Sequence, residues 1–190
     1  MEYIKDELIQ LSLSMFRKNF LGIFHGSISA KIDENKFIIN TKDAIFDELN
    51  HDSFITLNYF EDYRYKSASI DSKIHKNIYE EISDAKYISF TFPHNIIACS
   101  LLFETFSPID FFGKQYYPKL KIYDPKNFDT WYSRAPEEIA QNLKLNNIMI
   151  IKGYGVYTYD RDIKHLVKKI AILENSAKIL LQIKNYLKKS

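Results

Sequence analysis

Cysteine, glycine and proline are all scarce in this sequence, and each shortage excludes something. A single cysteine, Cys99, has no partner for an intrachain disulfide and fits a reducing compartment. Five glycines and five prolines in 190 residues exclude collagen-like and low-complexity character. No apolar run approaches the roughly 20 residues that a bilayer-spanning helix needs. Met1 to Phe20 alternates charged with apolar residues, so it offers neither a signal peptide's apolar core nor its cleavage site. The net charge of +2 at pH 7 gives no bulk attraction to nucleic acid or a membrane surface. These absences lead us to expect a cytoplasmic protein.

Aromatic residues, by contrast, are plentiful. Fourteen Phe, fourteen Tyr and one Trp supply a sizeable core and argue against disorder. Charge is uneven: residues 161–190 carry eight basic and two acidic side chains, a net of +6, leaving the first 160 residues at −4. A basic helix there could meet nucleic acid or an acidic partner. The simpler role is solubility, with Lys184, Lys188 and Lys189 complementing the dipole of a helix C-terminus. Nucleic acid is therefore not expected as a partner.

Periodicity predicts alternating helices and strands. Ile4, Leu8, Leu11 and Met15 place one apolar face on a helix over 3–18. Residues 27–32 alternate polar with apolar and read as a half-buried strand, with 37–40 returning after the polar turn 33–36. A strand is expected over 54–60, and a helix over 71–82 with Asp71 or Ser72 as its cap. A short strand over 87–91 ends at Pro93, and a helix resumes over 95–103. The Pro-, Gly- and aromatic-rich stretch 107–123 reads as a long surface connection. Pro136-Glu137-Glu138 opens a helix through Leu143, and 147–152 is an apolar strand followed by a turn around Gly153 and Gly155. The final helix, 162–187, would bury Ile163, Leu166, Ile170, Leu173, Ala177, Leu180 and Leu187. With no repeat or linker, residues 1–190 read as one α/β domain.

Several of these segments carry a recognisable order of motifs. Gly26-Ser27-Ile28-Ser29-Ala30-Lys31 follows the first helix. Ser69-Ile70-Asp71 is followed by His75. Phe90-Thr91-Phe92-Pro93 ends a strand, Tyr154-Gly155 follows the next, and Leu173-Glu174 lies on the last helix. Across nearly the whole chain this resembles the class II aldolase/adducin N-terminal family, of which L-fuculose-phosphate aldolase is a member. The resemblance implies a three-layer α/β/α sandwich with a central, mostly antiparallel sheet. It also implies a homo-oligomer, a tetramer in the family, with sites between subunits.

In catalytic members a His-x-His pair and a later His hold zinc, which stabilises the enediolate formed when a carbon–carbon bond breaks. A Glu shuttles the proton. Here the His-x-His positions are Phe90 and Phe92, and the later His is Tyr154. Phenylalanine has no lone pair to donate, and a phenol with its pKa near 10 is a poor ligand at neutral pH. The resemblance thus implies that zinc is lost, and no cofactor is expected. The Glu position is Asp71, shorter by one methylene. The phosphate cradle is altered too: Gly26, Ser27 and Ser69 remain as substrate-binding candidates, Ile70 and Lys31 replace a Ser and an Arg, and a Thr-Gly pair falls near Lys42-Asp43, where a carboxylate would repel phosphate.

Two functional expectations follow from this comparison. The first is a non-catalytic binding, scaffolding or accessory subunit, much as adducin uses this fold, with a protein partner as one form. The second is a lyase or epimerase on a small sugar phosphate or hydroxy-carbonyl compound, with Asp71 as base and His75 or Tyr154 as acid. A relocated metal would have to use His25, His75 and His94 with Asp71. Weaker candidates are Cys99, which reads as core, Gly113-Lys114 and the tyrosines Tyr116, Tyr117, Tyr157 and Tyr159. Residues 157–159 read more simply as a strand with one wet face, and Glu174 as a structural helix residue.

Overall fold

A computed structural model describes residues 2–23 and 25–187. Its elements run α1 (Glu2–Arg17), β1 (Ser27–Asp33), β2 (Lys36–Asn40), β3 (Phe54–Asn58), α2 (Ser72–Glu81), β4 (Tyr87–Thr91) and α3 (His94–Leu102). They continue with β5 (Thr105–Phe106), α4 (Phe111–Tyr116), β6 (Leu120–Tyr123), α5 (Phe128–Trp131), α6 (Ala135–Leu145), β7 (Ile148–Ile151), β8 (Gly155–Asp160) and α7 (Ile163–Leu187). The strands form one sheet in the order β3-β2-β1-β4-β8-β7-β6-β5. Every neighbouring pair is antiparallel except β6 with β7.

Strand alternation sorts side chains to two buried faces. On one face Phe37, Ile39, Ile88, Phe90, Met149, Ile151 and Tyr157 pack under α2 and α6 with Ile74, Ile78, Ile139 and Leu143. On the other, Ile28, Ala30 and Ile38 meet α1 and the start of α7, and Ile148, Ile150 and Val156 meet α3 and the rest of α7. The result is the three-layer α/β/α sandwich with a mostly antiparallel sheet. No helix among the described residues is long and apolar enough to cross a membrane.

Several local expectations need correction. The 107–123 stretch is not a surface connection, because α4 and β6 lie within it and Tyr117, Leu120 and Ile122 are buried. Asp110 caps α4, accepting from the Gly113 amide at 2.8 Å. Gly113 is pressed against Ser176 of α7, with no room for a Cβ, so Gly113-Lys114 is a packing feature of a helix. In β1 and β8 the polar alternation does not mark a wet face. Ser27, Ser29 and Thr158 are buried, as is Tyr157, because helices cover both sides of these central strands. Cys99 is core, as expected. At the far end of α7, Leu187 is 69% exposed rather than buried. Lys188 and Lys189 lie outside the described residues.

Candidate functional site

Two periodicities converge beneath α2. On β1, Ser27 and Ser29 are two residues apart and share a face. Asp71, His75 and Tyr79 are spaced by four and share one side of the helix. Pairing across the sheet sets Ser27 opposite Phe90, and Phe90 opposite Tyr157. Asp71 occupies the position before α2, but its carboxylate caps no backbone amide. Instead it accepts from Ser27 Oγ at 2.8 Å and from Tyr157 Oη at 2.9 Å. Ser27 Oγ also lies 2.9 Å from His75 Nε2, Ser29 Oγ lies 2.7 Å from His75 Nδ1, and Tyr79 Oη lies 2.7 Å from Ser29 Oγ.

One proton arrangement satisfies all six groups when Asp71 is ionised. Tyr79 donates to Ser29, Ser29 to Nδ1, Nε2–H to Ser27, and Ser27 and Tyr157 to the carboxylate. Reversing the chain leaves the Tyr79 proton without an acceptor in the network. Burial pushes the His75 pKa down to about 3, so its imidazole is neutral at physiological pH. Burial pushes the Asp71 carboxyl above its usual range, with the hydrogen bonds from Ser27 and Tyr157 working the other way. Tyr79 and Tyr157 are held far above the ordinary phenol range, again chiefly by burial.

Asp71 also forms part of the wall of a cleft of about 420 Å³. Gly26, Ser69, Phe90, Phe92 and Tyr154 line it too, so these five expected residues are brought together with Asp71. Ser27 and His75 are not: both are fully buried, in a layer behind Asp71. His25 and Lys42, which the sequence set beside the cradle, line the cleft as well, and so does Tyr132, which the sequence did not single out. Asp43, expected to repel phosphate, faces a different groove beside Glu48 and Asp52. Tyr157, which the sequence offered only as a weaker candidate on a strand with one wet face, is a buried member of the network.

The positions expected to have lost zinc ligands form an aromatic wall. The Phe90 ring lies 4.7 Å from Tyr157 and 5.1 Å from Tyr154, centre to centre. Tyr154 stacks on Phe128 at 5.5 Å and meets Trp131 edge-on at 5.3 Å. A Cβ on Gly155 would collide with the Phe90 ring, so glycine there is what lets the ring in. Zinc does not fit this donor set, because the rings of Phe90 and Phe92 carry no ligating atom. A relocated site fares no better. Among the described residues no three His, Cys, Asp or Glu side chains gather as a metal group, and His94 packs its ring at 6.0 Å from Phe92.

Glu174 has a clear structural task. Its carboxylate accepts from the amides of Asn95 and Ile96, each at 3.0 Å, and from the Asn95 side chain at 2.6 Å. It thereby holds the start of α3 just after the strand that carries Phe90 and the short link that carries Phe92.

No curated protein matches the chain at a significant level. Among solved structures, L-fuculose-1-phosphate aldolase from Thermus thermophilus superposes with a TM-score of 0.88 at 18% identity, covering 98% of this chain and 96% of that one. A sugar-phosphate aldolase from Thermotoga maritima gives 0.78 at 15% identity, covering 95% and 94%. YgbL from Escherichia coli, a putative aldolase/epimerase/decarboxylase, gives 0.78 at 13%, covering 96% and 90%. At such identities the likeness concerns the fold alone. The family described as class II aldolase and adducin N-terminal domain matches residues 6–181, nearly the whole chain, and this protein belongs to that family.

Proposed function

We propose that this family member has lost zinc-dependent aldol cleavage and keeps the cleft as a small-molecule site, acting as a non-catalytic binding, scaffolding or accessory subunit. The observation that carries this reading is the position of Phe90, whose ring is packed between Tyr154 and Tyr157 where the resemblance calls for an imidazole. Zinc needs directed lone pairs, and of Phe90, Phe92 and Tyr154, the side chains at the three ligand positions, only Tyr154 has one. Burial pushes that phenol still further from the phenolate form that would ligate. The cleft nonetheless remains open, which supports binding as the surviving property. Exposed Phe60, Ile70, Phe111 and Phe112 support a homo-oligomer, with a tetramer as the form sedimentation should find.

The test is zinc loading of the purified protein, followed by metal analysis and assay against a sugar-phosphate panel. We expect neither stoichiometric zinc nor cleavage. One zinc retained per chain and released by Tyr154→Phe would overturn the reading.

A second reading rests on one observation: Asp71, a carboxyl whose pKa burial raises, shares the cleft with Tyr154. Such a pair could move a proton without metal, as a lyase or epimerase would require. His75, the other acid considered, is sealed behind Ser27. Turnover of any panel member that disappears in Asp71→Asn would establish this second reading in place of the first.

A further inference from the structure

We propose that the cleft takes a small zwitterion, its ammonium group held between the Asp71 carboxylate and the rings of Phe92 and Tyr132, its anionic group meeting Lys42. This inference rests on the reading above, in which the cleft binds without zinc.

Asp71 is a buried carboxylate with no cationic partner among the described residues: it is only 4% exposed, and its partners are two hydroxyl groups. A carboxylate accepts about four hydrogen bonds, so capacity remains on the cleft side. A charge buried with no opposite charge is costly, and a ligand cation is the missing partner.

Phe90, Phe92, Tyr132 and Tyr154 all line the same cavity as Asp71. Phe90 is sandwiched between Tyr154 and Tyr157, and Tyr154 between Phe90 and Phe128, so the ring faces left to a ligand are those of Phe92 and Tyr132, which meet their ring neighbours His94 and Tyr154 at 76° and 69°. Zinc and an organic ammonium ion want opposite things here. Zinc needs a few directed lone pairs, whereas an ammonium ion is attracted to the diffuse negative faces of rings within about 6 Å. The substitutions that remove the metal ligands therefore leave a surface suited to a softer cation.

Lys42 is exposed and lines the same cavity, so a bare cation would meet repulsion as it approached. A bare anion would satisfy Lys42 but face Asp71 and the electron-rich rings. A ligand carrying both charges meets both ends.

Calorimetric titration of the whole chain with pentylamine, pentanoate and δ-aminovalerate tests this. We expect δ-aminovalerate to bind most tightly, pentylamine next and pentanoate least. Asp71→Asn should weaken pentylamine about ten- to a hundredfold, as loss of a charged hydrogen bond does. Tyr132→Leu, at a residue 53% exposed and so safe for folding, should weaken it about two- to fivefold. Lys42→Ala should weaken δ-aminovalerate and leave pentylamine unchanged or tighter. Pentanoate binding as tightly as pentylamine, pentylamine affinity unchanged in both Asp71→Asn and Tyr132→Leu, or no amine binding up to about 100 mM would each overturn the proposal. If Asp71→Asn does not fold, Tyr132→Leu alone decides. Zinc retention in the loading experiment defeats the reading of the cleft itself, whereas missing amine binding with zinc also absent defeats only this inference.

Discussion

Glu174 and Asp71 are both buried carboxylates beside the strand that carries Phe90, but the fold uses them differently. Glu174 accepts three N–H donors, two of them backbone amides at the start of α3. Its oxygens are committed to holding that helix. Asp71 stands at the start of α2, where a side-chain cap is the ordinary use of such a residue. It caps nothing, accepts from two hydroxyl groups and borders open space. The donors around a carboxylate thus separate one that secures the fold from one left available to a ligand.

Three measurements would break or sharpen that contrast. The largest effect is expected at Glu174. Glu174→Ala leaves buried backbone amides unmatched and should cost about 3 kcal/mol in urea unfolding, while Glu174→Gln should recover part of the loss. A loss no larger than that of a surface substitution would remove Glu174 from the structural side of the comparison.

A middle-sized effect belongs to the network behind Asp71. The His75 pKa is held at about 3 in the folded protein, below its ordinary value of 6.5. The unfolded chain therefore takes up the proton first, and stability falls as pH drops below 6.5, levelling off only near 3. Between pH 7 and pH 5 this linkage amounts to about 2 kcal/mol. Asp71 works in the opposite sense, because its raised pKa favours the folded state as it protonates. His75→Gln should lower stability at pH 7 yet remove most of the acid-side loss. A parallel decline in wild type and His75→Gln would show that another group controls it.

The smallest effect is expected at Asp71 itself. Asp71→Asn keeps the shape and relieves an unpaired buried charge, while its amide nitrogen leaves one of the two buried hydroxyl donors unmatched; the two effects offset, and unfolding stability should change by less than about 1 kcal/mol. A cost matching that of Glu174→Ala would erase the distinction between the two sites.

Much of the fold was legible because its signals are local. The apolar spacing of α2 and the alternation in β1 and β2 find the elements within a few residues. The same alternation misled where polar groups find distant partners. Ser27 and Ser29 look like a wet face, yet their partners Asp71, His75 and Tyr79 lie 44 to 50 residues away. Phe90, Phe92 and Tyr154 stood out only through the order of motifs around them. Tyr132 gave no such signal: it follows a one-turn helix and reaches the cleft through tertiary packing. The stretch from 107 to 123 hid a six-residue helix whose capping aspartate and tightly packed glycine resemble ordinary turn residues.

The stacking around Tyr154 has a practical consequence. The chain's single tryptophan, Trp131, is fully buried and lies 5.3 Å from that ring. Its emission spectrum should therefore report occupancy of the neighbouring cavity, giving the protein a built-in fluorescent gauge that needs no added label.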